Sequence, residues 1–413
     1  MRFTFLHAAD LHLGSPLTGL GLKDPEVARR FASASREAFS DLVTRAIEVE
    51  VAFVVVAGDV YDGEWRDTSI GLFFNREVAR LDRAGIPLFL LKGNHDAESV
   101  VTKTISLPDC VSEFPTGRAG TFRIENLKVA LHGRGFPDRT VPENYALGYP
   151  DPLPGWVNIG VLHTSCDGRP GHAVYAPCTV QDLASRGYQY WALGHVHEYE
   201  ELSRDPWIVY PGNLQGRSVR ECGPKGAVLV DVADGHIAGT RRLALDRARW
   251  AVAAIDLTGV EDEAGALRRI EEAIAPEAAA AEGRLLALRV RLTGSTPLHR
   301  RLTADPDRMA DEVQAAANRI HEDIWLERLR IETVDTHPAA DDALAALDLS
   351  ALLGDLEQDP QFQARAAELV ATITGKLPGG IAGDGPPLAS DLGALLNEAR
   401  AMLVARAAAG AAR

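Results

Sequence analysis

Five polar clusters in the first half of the chain combine residue types that can bind metal ions. Each follows directly after an apolar run that predicts a β-strand. Ligands of layered α/β proteins bind outside the carboxyl ends of the strands, so we expect the clusters to meet at one edge of a sheet. Asp, Asn and His side chains suit divalent ions such as Mn²⁺, Fe²⁺ or Zn²⁺. The clusters are Asp10-Leu11-His12, Gly58-Asp59, Gly93-Asn94-His95-Asp96, His163 and Gly194-His195-Val196-His197.

The spacing within the clusters favours chelation of an ion. On an extended segment, residues two apart point to the same face, so Asp10 and His12 could bind one ion together. His195 and His197 repeat this spacing. A glycine precedes the candidate ligand in three clusters, where it allows the backbone to turn sharply and approach an ion closely. Each motif alone is common in turns or at surfaces, and it is the series of five in this order that predicts a site.

Alternating strands and helices must position these clusters. A long segment between the fourth and fifth predicted strands, Asp138–Trp156, is rich in Pro, Gly and Tyr and predicts a surface loop. The pattern as a whole predicts an α/β fold, a four-layer sandwich of two mixed β-sheets flanked by helices. The predicted strands are Phe3–Ala9, Ala52–Ala57, Pro87–Leu91, Lys128–His132, Val157–Leu162, Tyr190–Leu193, Trp207–Tyr210 and Ala227–Val232, and the predicted helices are Pro25–Glu48 and Thr68–Ala84.

The remainder of the chain predicts a small α+β domain and a helical end. We place the domain boundaries at residues 1–245, 246–338 and 339–413. The segment Gly375–Pro387 has the composition of a flexible linker. The predicted elements of the small domain are the strands Ala251–Leu257, Leu285–Leu292 and Trp325–Thr333 with the helices Glu263–Ile274 and Pro306–Ile320, and the C-terminal helices are Leu344–Leu353, Pro360–Thr374 and Ala389–Ala408.

Composition is that of a globular protein, with 46% hydrophobic and 24% charged residues among 413. The first residues lack a signal peptide and no apolar run is long enough for a membrane helix, so we expect a cytoplasmic protein without membrane contact. The four cysteines form no CxxC pair and predict free thiols. A net charge of −15 argues against a broadly basic nucleic-acid surface, but it leaves room for local DNA contacts beside a metal-loaded site.

The order of the five clusters resembles that of the calcineurin-like metallophosphoesterase superfamily over about residues 1–235. The resemblance implies that Asp59 bridges two divalent metal ions. It also implies that His95 lies beside the scissile phosphate, stabilises its charge and protonates the leaving oxygen. Asp96 is expected either to orient His95 through a hydrogen bond or simply to cap the loop. The implied ligands are Asp10, His12 and His197 for the first ion, and Asn94, His163 and His195 for the second.

The segments FLHAADLHLGSPL, ALGHVHEYEEL and YPGNLQGRS resemble the SbcD/YhaO type of DNA repair exonuclease. This resemblance implies hydrolysis of phosphodiester bonds in DNA, Mn²⁺ as the first choice of metal, and a capping domain. It further implies C-terminal helices that dock on an SMC-like coiled-coil ATPase of the SbcC/YhaN type, and homodimers occur among such proteins. The alternative for these helices is that they fold back on the chain's own capping domain. One position departs from the pattern: related nucleases often have a His soon after the bridging Asp, and Asp62 stands there in this chain. Asp62 is therefore a candidate partner of His95.

Two other functions are compatible with the same residues. One is a phosphatase or phosphodiesterase for small-molecule or protein phosphoesters, against which residues 250–413 argue. The other is a non-catalytic DNA-binding scaffold, against which the complete ligand set argues. Other polar residues have no fixed role: His7 is expected in the core, and several others could contact substrate or be ordinary surface residues. These are His172, Arg217, Arg220, Lys225, Arg284, Arg289 and Arg291.

Overall fold

The computed structural model describes residues 1–15, 25–62, 68–98, 107–168 and 175–336, and parts of 353–403. Most of the predicted helix Leu344–Leu353 and the predicted linker Gly375–Pro387 lie outside the described residues, as does His172. The chain forms two compact units. The first contains most residues up to Arg249, and the second contains the residues from Trp250 onward together with Ser218–Cys222.

The secondary structure alternates between strands and helices at first and is rich in strands afterwards. The strands are β1 (Arg2–Ala8), β2 (Val54–Ala57), β3 (Leu88–Leu91), β4 (Val111–Glu113), β5 (Gly120–Ile124), β6 (Val129–Gly133), β7 (Val157–His163), β8 (Tyr190–Gly194), β9 (Tyr199–Arg204), β10 (Trp207–Pro211), β11 (Gly226–Ala233), β12 (His236–Ala244), β13 (Ala248–Asp256), β14 (Leu285–Thr293) and β15 (Ile324–Ile331). The helices are α1 (Pro25–Glu48), α2 (Thr68–Arg83), α3 (Asn94–Glu98), α4 (Val180–Ala184), α5 (Glu263–Ala280), α6 (His299–Ala304), α7 (Pro306–Ile320) and α8 (Pro360–Thr374), with a 3₁₀ helix at Tyr145–Gly148.

The described strands of the first unit form two mixed sheets. Sheet one has the order β12-β11-β1-β2-β3-β4, and sheet two has the order β5-β6-β7-β8-β10-β9. In sheet one β1, β2 and β3 run parallel, and in sheet two β6, β7, β8 and β10 run parallel. The parallel strands therefore end at the same edge of each sheet, which is the arrangement that the polar clusters require.

Alternating side chains give each sheet two buried faces. In β1, Phe5 packs between the two sheets with its ring 5.4 Å from that of Tyr190, whereas Leu6 packs against the flanking helices. Sheet one buries its outer face against Phe39 of α1 and Phe74 of α2. Burying one such aromatic side chain contributes about 1.5–3 kcal/mol. The layers are thus helix, sheet, sheet and helix, and the predicted four-layer fold is confirmed.

The segment Asp138–Trp156 covers part of the outer face of sheet two. Asp138–Trp156 was predicted to be a surface loop, but it includes the 3₁₀ helix, and both Tyr145 and Tyr149 are buried. The Tyr149 hydroxyl donates to the Val161 carbonyl at 2.6 Å. A buried tyrosine can pack in a core when its hydroxyl donates to a backbone carbonyl. A Pro/Gly-rich segment that contains tyrosines can therefore cover a sheet.

The second unit has a three-stranded sheet, β13-β14-β15, with α5 and α7 packed on it. The apolar spacing of α5 places Ala266, Ile270 and Ile274 in its core, as expected for a helix with one buried face. Helix α5 continues beyond Ile274 through Pro276 into an alanine-rich turn, further than the sequence predicted. The predicted bounds of α1, α7 and α8 are confirmed.

Three arginines of the second unit that were considered as substrate contacts are in ion pairs. Arg289 binds Glu327 at 2.7 Å in a largely buried pair. Arg291 binds Glu332 and Arg284 binds Glu282, both at 2.6 Å. The four cysteines are free thiols, as predicted. Among the described residues no helix is both long and apolar enough to span a membrane.

Candidate metal centre

The polar clusters converge at the carboxyl ends of β1, β2 and β3 in sheet one and of β7 and β8 in sheet two. Residues that are far apart in sequence meet there: His12 Nε2 lies 3.2 Å from His197 Nε2. The structure brings together all of the predicted ligands, each within contact distance of another, namely Asp10, His12, Asp59, Asn94, His163, His195 and His197.

The first group of candidate ligands consists of Asp10, His12 and His197. Their ligand atoms all lie within 4.8 Å of one another. His197 Nε2 is 3.7 Å from Asp10 Oδ1, and His12 Nε2 is 4.0 Å from Asp59 Oδ2. Asp10 and His12 are buried, so a cation at this place would be largely shielded from solvent. This is the set that the sequence predicted for the first ion.

The second group is built around His163. Its Nε2 lies 3.0 Å from Asn94 Oδ1 and 3.4 Å from Asp59 Oδ2. Asp10, Asp59 and His163 also lie within 4.8 Å of one another through their ligand atoms. The ring of His195 stands edge-on to that of His163, with centroids 5.2 Å apart. Asp59 faces both groups, which is the position that a bridging carboxylate needs.

These contacts place acceptor atoms opposite one another. His163 Nδ1 is 2.9 Å from the Ala57 carbonyl, which can only accept, so Nδ1 carries the hydrogen. In the neutral ring Nε2 then has a lone pair that faces the oxygens of Asn94 and Asp59. Three acceptors around one point repel one another unless a cation lies between them. The donor set, which contains His, Asp and Asn, therefore fits a divalent ion of the Mn²⁺, Fe²⁺ or Zn²⁺ type.

The electrostatics of the cluster point the same way. Burial by itself lowers the pKa of His163, but the charges of Asp59 and Asp10 and the hydrogen bonds to Asp59 and to the Ala57 carbonyl together outweigh it and raise that pKa to about 9. Burial also raises the pKa of Asp10. Burial by itself raises the pKa of Asp59 as well, but the charge of His163 and its hydrogen bond, together with the charges of His12 and His95, more than offset it and hold that pKa well below its usual value. A proton on His163 thus supplies the positive charge that a metal ion would bring.

The backbone of the ligand loops is strained and not extended. Asp10, His12 and Asp59 have φ of 51°, 43° and 55°, and His195 has φ of 96°. The prediction that Asp10 and His12 share a face of an extended segment is therefore wrong, although both side chains do reach the same group. Non-glycine residues in this region cost of order 1–3 kcal/mol each and persist where function requires the geometry.

The glycines of the clusters leave space for the ligands. A Cβ on Gly58 or Gly194 would collide with the ring of His163, and a Cβ on Gly93 would collide with the carboxylate of Asp59. Gly58 also has φ of 101°, which a side chain would strain. The predicted close approach of the backbone is confirmed, and it serves the ligand side chains.

Beside the two groups lies a third set of contacts formed by His95, Asp62 and Arg217. His95 Nδ1 is 2.9 Å from Asp62 Oδ1, which confirms that Asp62 pairs with His95. Arg217 Nη1 is 3.9 Å from Asp62 Oδ2, and its Nη2 is 3.2 Å from His197 Nδ1. Burial lowers the pKa of His95, but the hydrogen bond to Asp62 and the charges of Asp59 and Asp62 together outweigh it and raise that pKa above its ordinary value. His95 is thus poised to carry a proton next to the metal ligands.

Asp96 caps the loop, which is the second of the two roles predicted for it. Its Oδ1 accepts hydrogen bonds from the backbone N–H groups of Val60 and Tyr61 at 2.9 and 3.0 Å, and its Oδ2 accepts from Gly93 at 3.1 Å. Burial, followed by the charge of Asp59, raises its pKa to about 7. The carboxylate therefore ties the loop after β2 to the loop after β3, and it is Asp62 that binds His95 Nδ1.

Several other polar residues are structural. His7 is fully buried, donates to the Leu193 carbonyl and accepts from the Tyr190 hydroxyl, as expected for a core residue. Lys225 is buried and donates to the His197 carbonyl at 2.9 Å and to Glu198 at 3.0 Å, so it fixes the loop after β8. Arg220 is exposed and is grouped with the second unit.

Two residues near the site were missed from the sequence. Ser15 hydrogen-bonds Asp62 and contributes to the low pKa of that carboxyl group. Tyr175 places its ring 5.3 Å from that of His195 in an edge-on contact. Ser15 lies within the segment FLHAADLHLGSPL but was given no role, and Tyr175 belongs to no motif. Only the fold shows that both lie beside the ligands.

Replacing Asp59 by Ala is expected to reduce the metal content from two ions per chain to one or none, because this carboxylate faces both groups. Asp59→Asn, which keeps the volume, should show the same direction. Metal is counted by elemental analysis after dialysis against Mn²⁺. The matched control is Asp231→Asn, which removes a carboxylate that pairs with Arg241 on the edge of sheet one and should keep both ions. Two ions retained by folded Asp59→Ala would contradict the bridging role.

Comparison with known proteins identifies the family. Residues 3–199 match the family model of calcineurin-like phosphoesterases, and residues 250–334 match that of the middle domain of the metallophosphoesterase YhaO. The chain is 32% identical over 298 residues to the uncharacterized metallophosphoesterase YhaO of Bacillus subtilis, which covers 71% of this chain and 72% of YhaO. It is 24% identical to the DNA double-strand break repair protein Mre11 of Sulfurisphaera tokodaii, over 64% of this chain and 68% of that protein. It is 33% identical to a component of the nuclease SbcCD of Escherichia coli, over 24% of this chain and 22% of that protein. The chain therefore belongs to the calcineurin-like metallophosphoesterases and is YhaO-like.

Proposed function

We propose that this protein is a metal-dependent DNA exonuclease that hydrolyses phosphodiester bonds with two divalent ions, Mn²⁺ being the first choice. The observation that carries the proposal is the placement of His95. It lies directly beside the candidate ligands, with its ring 4.9 Å from that of His12, yet its Nδ1 is bound to Asp62. An imidazole held in this way keeps one orientation, and its Nε2 can carry a proton for transfer.

The chemistry of the substrate explains why such an acid is needed. A deoxyribose oxygen that leaves a phosphodiester is a poor leaving group unless it is protonated. The two ions, when bound, would supply Lewis acidity for the phosphoryl oxygens and the attacking water. His95 would hold a proton at Nε2 for the leaving oxygen, since Asp62 accepts the hydrogen on Nδ1. Asp62 stabilises the protonated ring and fixes its orientation.

Similarity supports DNA as the substrate class. The distant relatives Mre11 and the SbcCD component are named for DNA break repair and for nuclease activity, respectively. The segments FLHAADLHLGSPL and YPGNLQGRS, which suggested this subgroup, carry Asp10, His12 and Arg217. These three residues all lie at the candidate metal centre.

The full chain with Mn²⁺ is expected to shorten end-labelled linear duplex or single-stranded DNA and to leave covalently closed circles intact. Cleavage should be lost in Asp59→Ala and reduced roughly 10²-fold or more in His95→Asn, the usual scale for a positioned acid. His95→Asn should keep both ions. Cleavage of p-nitrophenyl phosphates without any cleavage of DNA would favour the phosphatase, and DNA binding without hydrolysis of either would favour the scaffold.

The dependence of kcat on pH should report the pair of His95 and Asp62. A His that acts as an acid works while protonated, so the rate falls as pH rises through its pKa. Asp62 raises this pKa, and Asp62→Asn removes the negative charge, so the alkaline limb of the profile should move to lower pH. Asp231→Asn should leave the profile in place. An unchanged alkaline limb in Asp62→Asn would assign the proton to another group.

We further propose that the C-terminal helices bind an SMC-like coiled-coil ATPase. In α8 the apolar residues Phe362, Ala366 and Val370 follow a helical spacing, none of the described α8 side chains is fully buried, and Leu369 is 63% exposed. Amphipathic helices of this kind bind in grooves or along coiled coils.

In a pull-down with the ATPase as bait, the double variant Phe362→Asp and Leu369→Asp should lose association and keep both metal ions. Arg365→Gln, which changes a polar position of α8, is the control. Full association of the double variant would place the docking surface elsewhere.

A further inference from the structure

Arg217 lies at the edge of the metal centre between a candidate ligand and the candidate acid. Its Nη2 is 3.2 Å from His197 Nδ1, and its Nη1 is 3.9 Å from Asp62 Oδ2. The side chain is 21% exposed, so part of it is accessible to solvent. Arg217 is therefore a permanent positive charge that reaches both working parts of the site and is still accessible to a ligand.

The segment that carries Arg217 is firmly attached to the ligand loops. Leu214 is fully buried and its backbone N–H donates to the Asp10 carbonyl, while the N–H of Asn213 donates to the His197 carbonyl. The buried side chain of Gln215 donates to the Gly216 carbonyl at 2.9 Å and accepts from the backbone of Arg247 at 2.8 Å. The backbone that carries Arg217 is thus fixed relative to the metal ligands.

The contact between Arg217 and His197 is incompatible with a metal ion on His197. A guanidinium only donates, so the contact requires a lone pair on His197 Nδ1. The other nitrogen, Nε2, is the one that faces Asp10 and His12. When Nε2 binds an ion, the neutral ring carries its single hydrogen on Nδ1. Two N–H donors would then face each other, and the contact breaks.

We propose that Arg217 is a phosphate-binding residue whose guanidinium is held by His197 in the metal-free protein and released to the scissile phosphate when the first ion binds. The planar guanidinium can donate two parallel hydrogen bonds to two phosphate oxygens, whereas the ammonium group of a lysine cannot. After the contact with His197 breaks, the ion pair with Asp62 keeps the Arg217 side chain near His95. The inference rests on the proposed function only in taking a phosphoester as the ligand, and not in taking DNA.

Two binding measurements on the full chain test this. Calorimetry of metal-free protein with Mn²⁺ should show that Arg217→Gln binds the metal as tightly as the unchanged protein or more tightly, because a competing contact is gone. Inorganic phosphate binding to the Mn²⁺-loaded protein should weaken roughly 10- to 100-fold, the usual scale for charge-assisted hydrogen bonds. Arg217→Lys keeps the charge, so its phosphate affinity should lie between that of the unchanged protein and that of Arg217→Gln. Arg241→Gln, which breaks the pair with Asp231, should change neither affinity.

The outcomes separate the alternatives. Weaker Mn²⁺ binding in both Arg217→Gln and Arg217→Lys, with thermal unfolding unchanged, would mean that Arg217 braces His197, and the proposal would fail. Unchanged phosphate affinity in Arg217→Gln would also overturn it. Loss of phosphate affinity in a protein that cleaves no DNA would sustain the role of Arg217 and reject the DNA exonuclease.

Discussion

The structure of the first unit depends on one constraint: lone pairs that face one another at the sheet edge need a cation between them. His163 illustrates it, since its Nδ1 is committed to the Ala57 carbonyl and its Nε2 is left facing Asn94 and Asp59. No rearrangement of hydrogens satisfies three acceptors at once, except by placing a positive charge on the ring. The pKa of His163 is raised because a proton on its ring meets this requirement. A divalent ion meets the same requirement at neutral pH without a proton.

Such a cluster is unfavourable by itself, and the rest of the fold offsets its cost. Four non-glycine residues with positive φ lie in the ligand loops, and each stores strain. The aromatic core between the sheets, in which Phe5 stacks on Phe53 at 4.8 Å, supplies stability that does not depend on the site. The hydrogen bonds that Asp96 accepts tie two of the loops together. The hydrophobic core beneath the sheet edge therefore maintains the strained backbone of the ligand loops.

The sequence predicted the ligand types and the strands that carry them because both leave local signals. A β-branched run such as AFVVVA followed by Gly58 and Asp59 is visible without the fold. Backbone conformation is not visible in this way: the left-handed φ of Asp10 is imposed by hydrogen bonds to another loop, such as that from its N–H to the Gly58 carbonyl. For the same reason the sequence could not decide whether Asp62 or Asp96 meets His95. The strands β9 and β12 were missed because edge strands are half exposed and have a weak apolar pattern.

Asp62 stands where the resemblance to break-repair nucleases leads one to expect a His, and its charge has a physical consequence. A neutral His could orient His95, but it could not stabilise a protonated His95 and attract Arg217 at the same time. Asp62 does both, through separate oxygens that face His95 and Arg217. In a chain with a net charge of −15, an anionic substrate is attracted only where cations are concentrated. One carboxylate that holds His95 and Arg217 beside the metal ligands produces such a place.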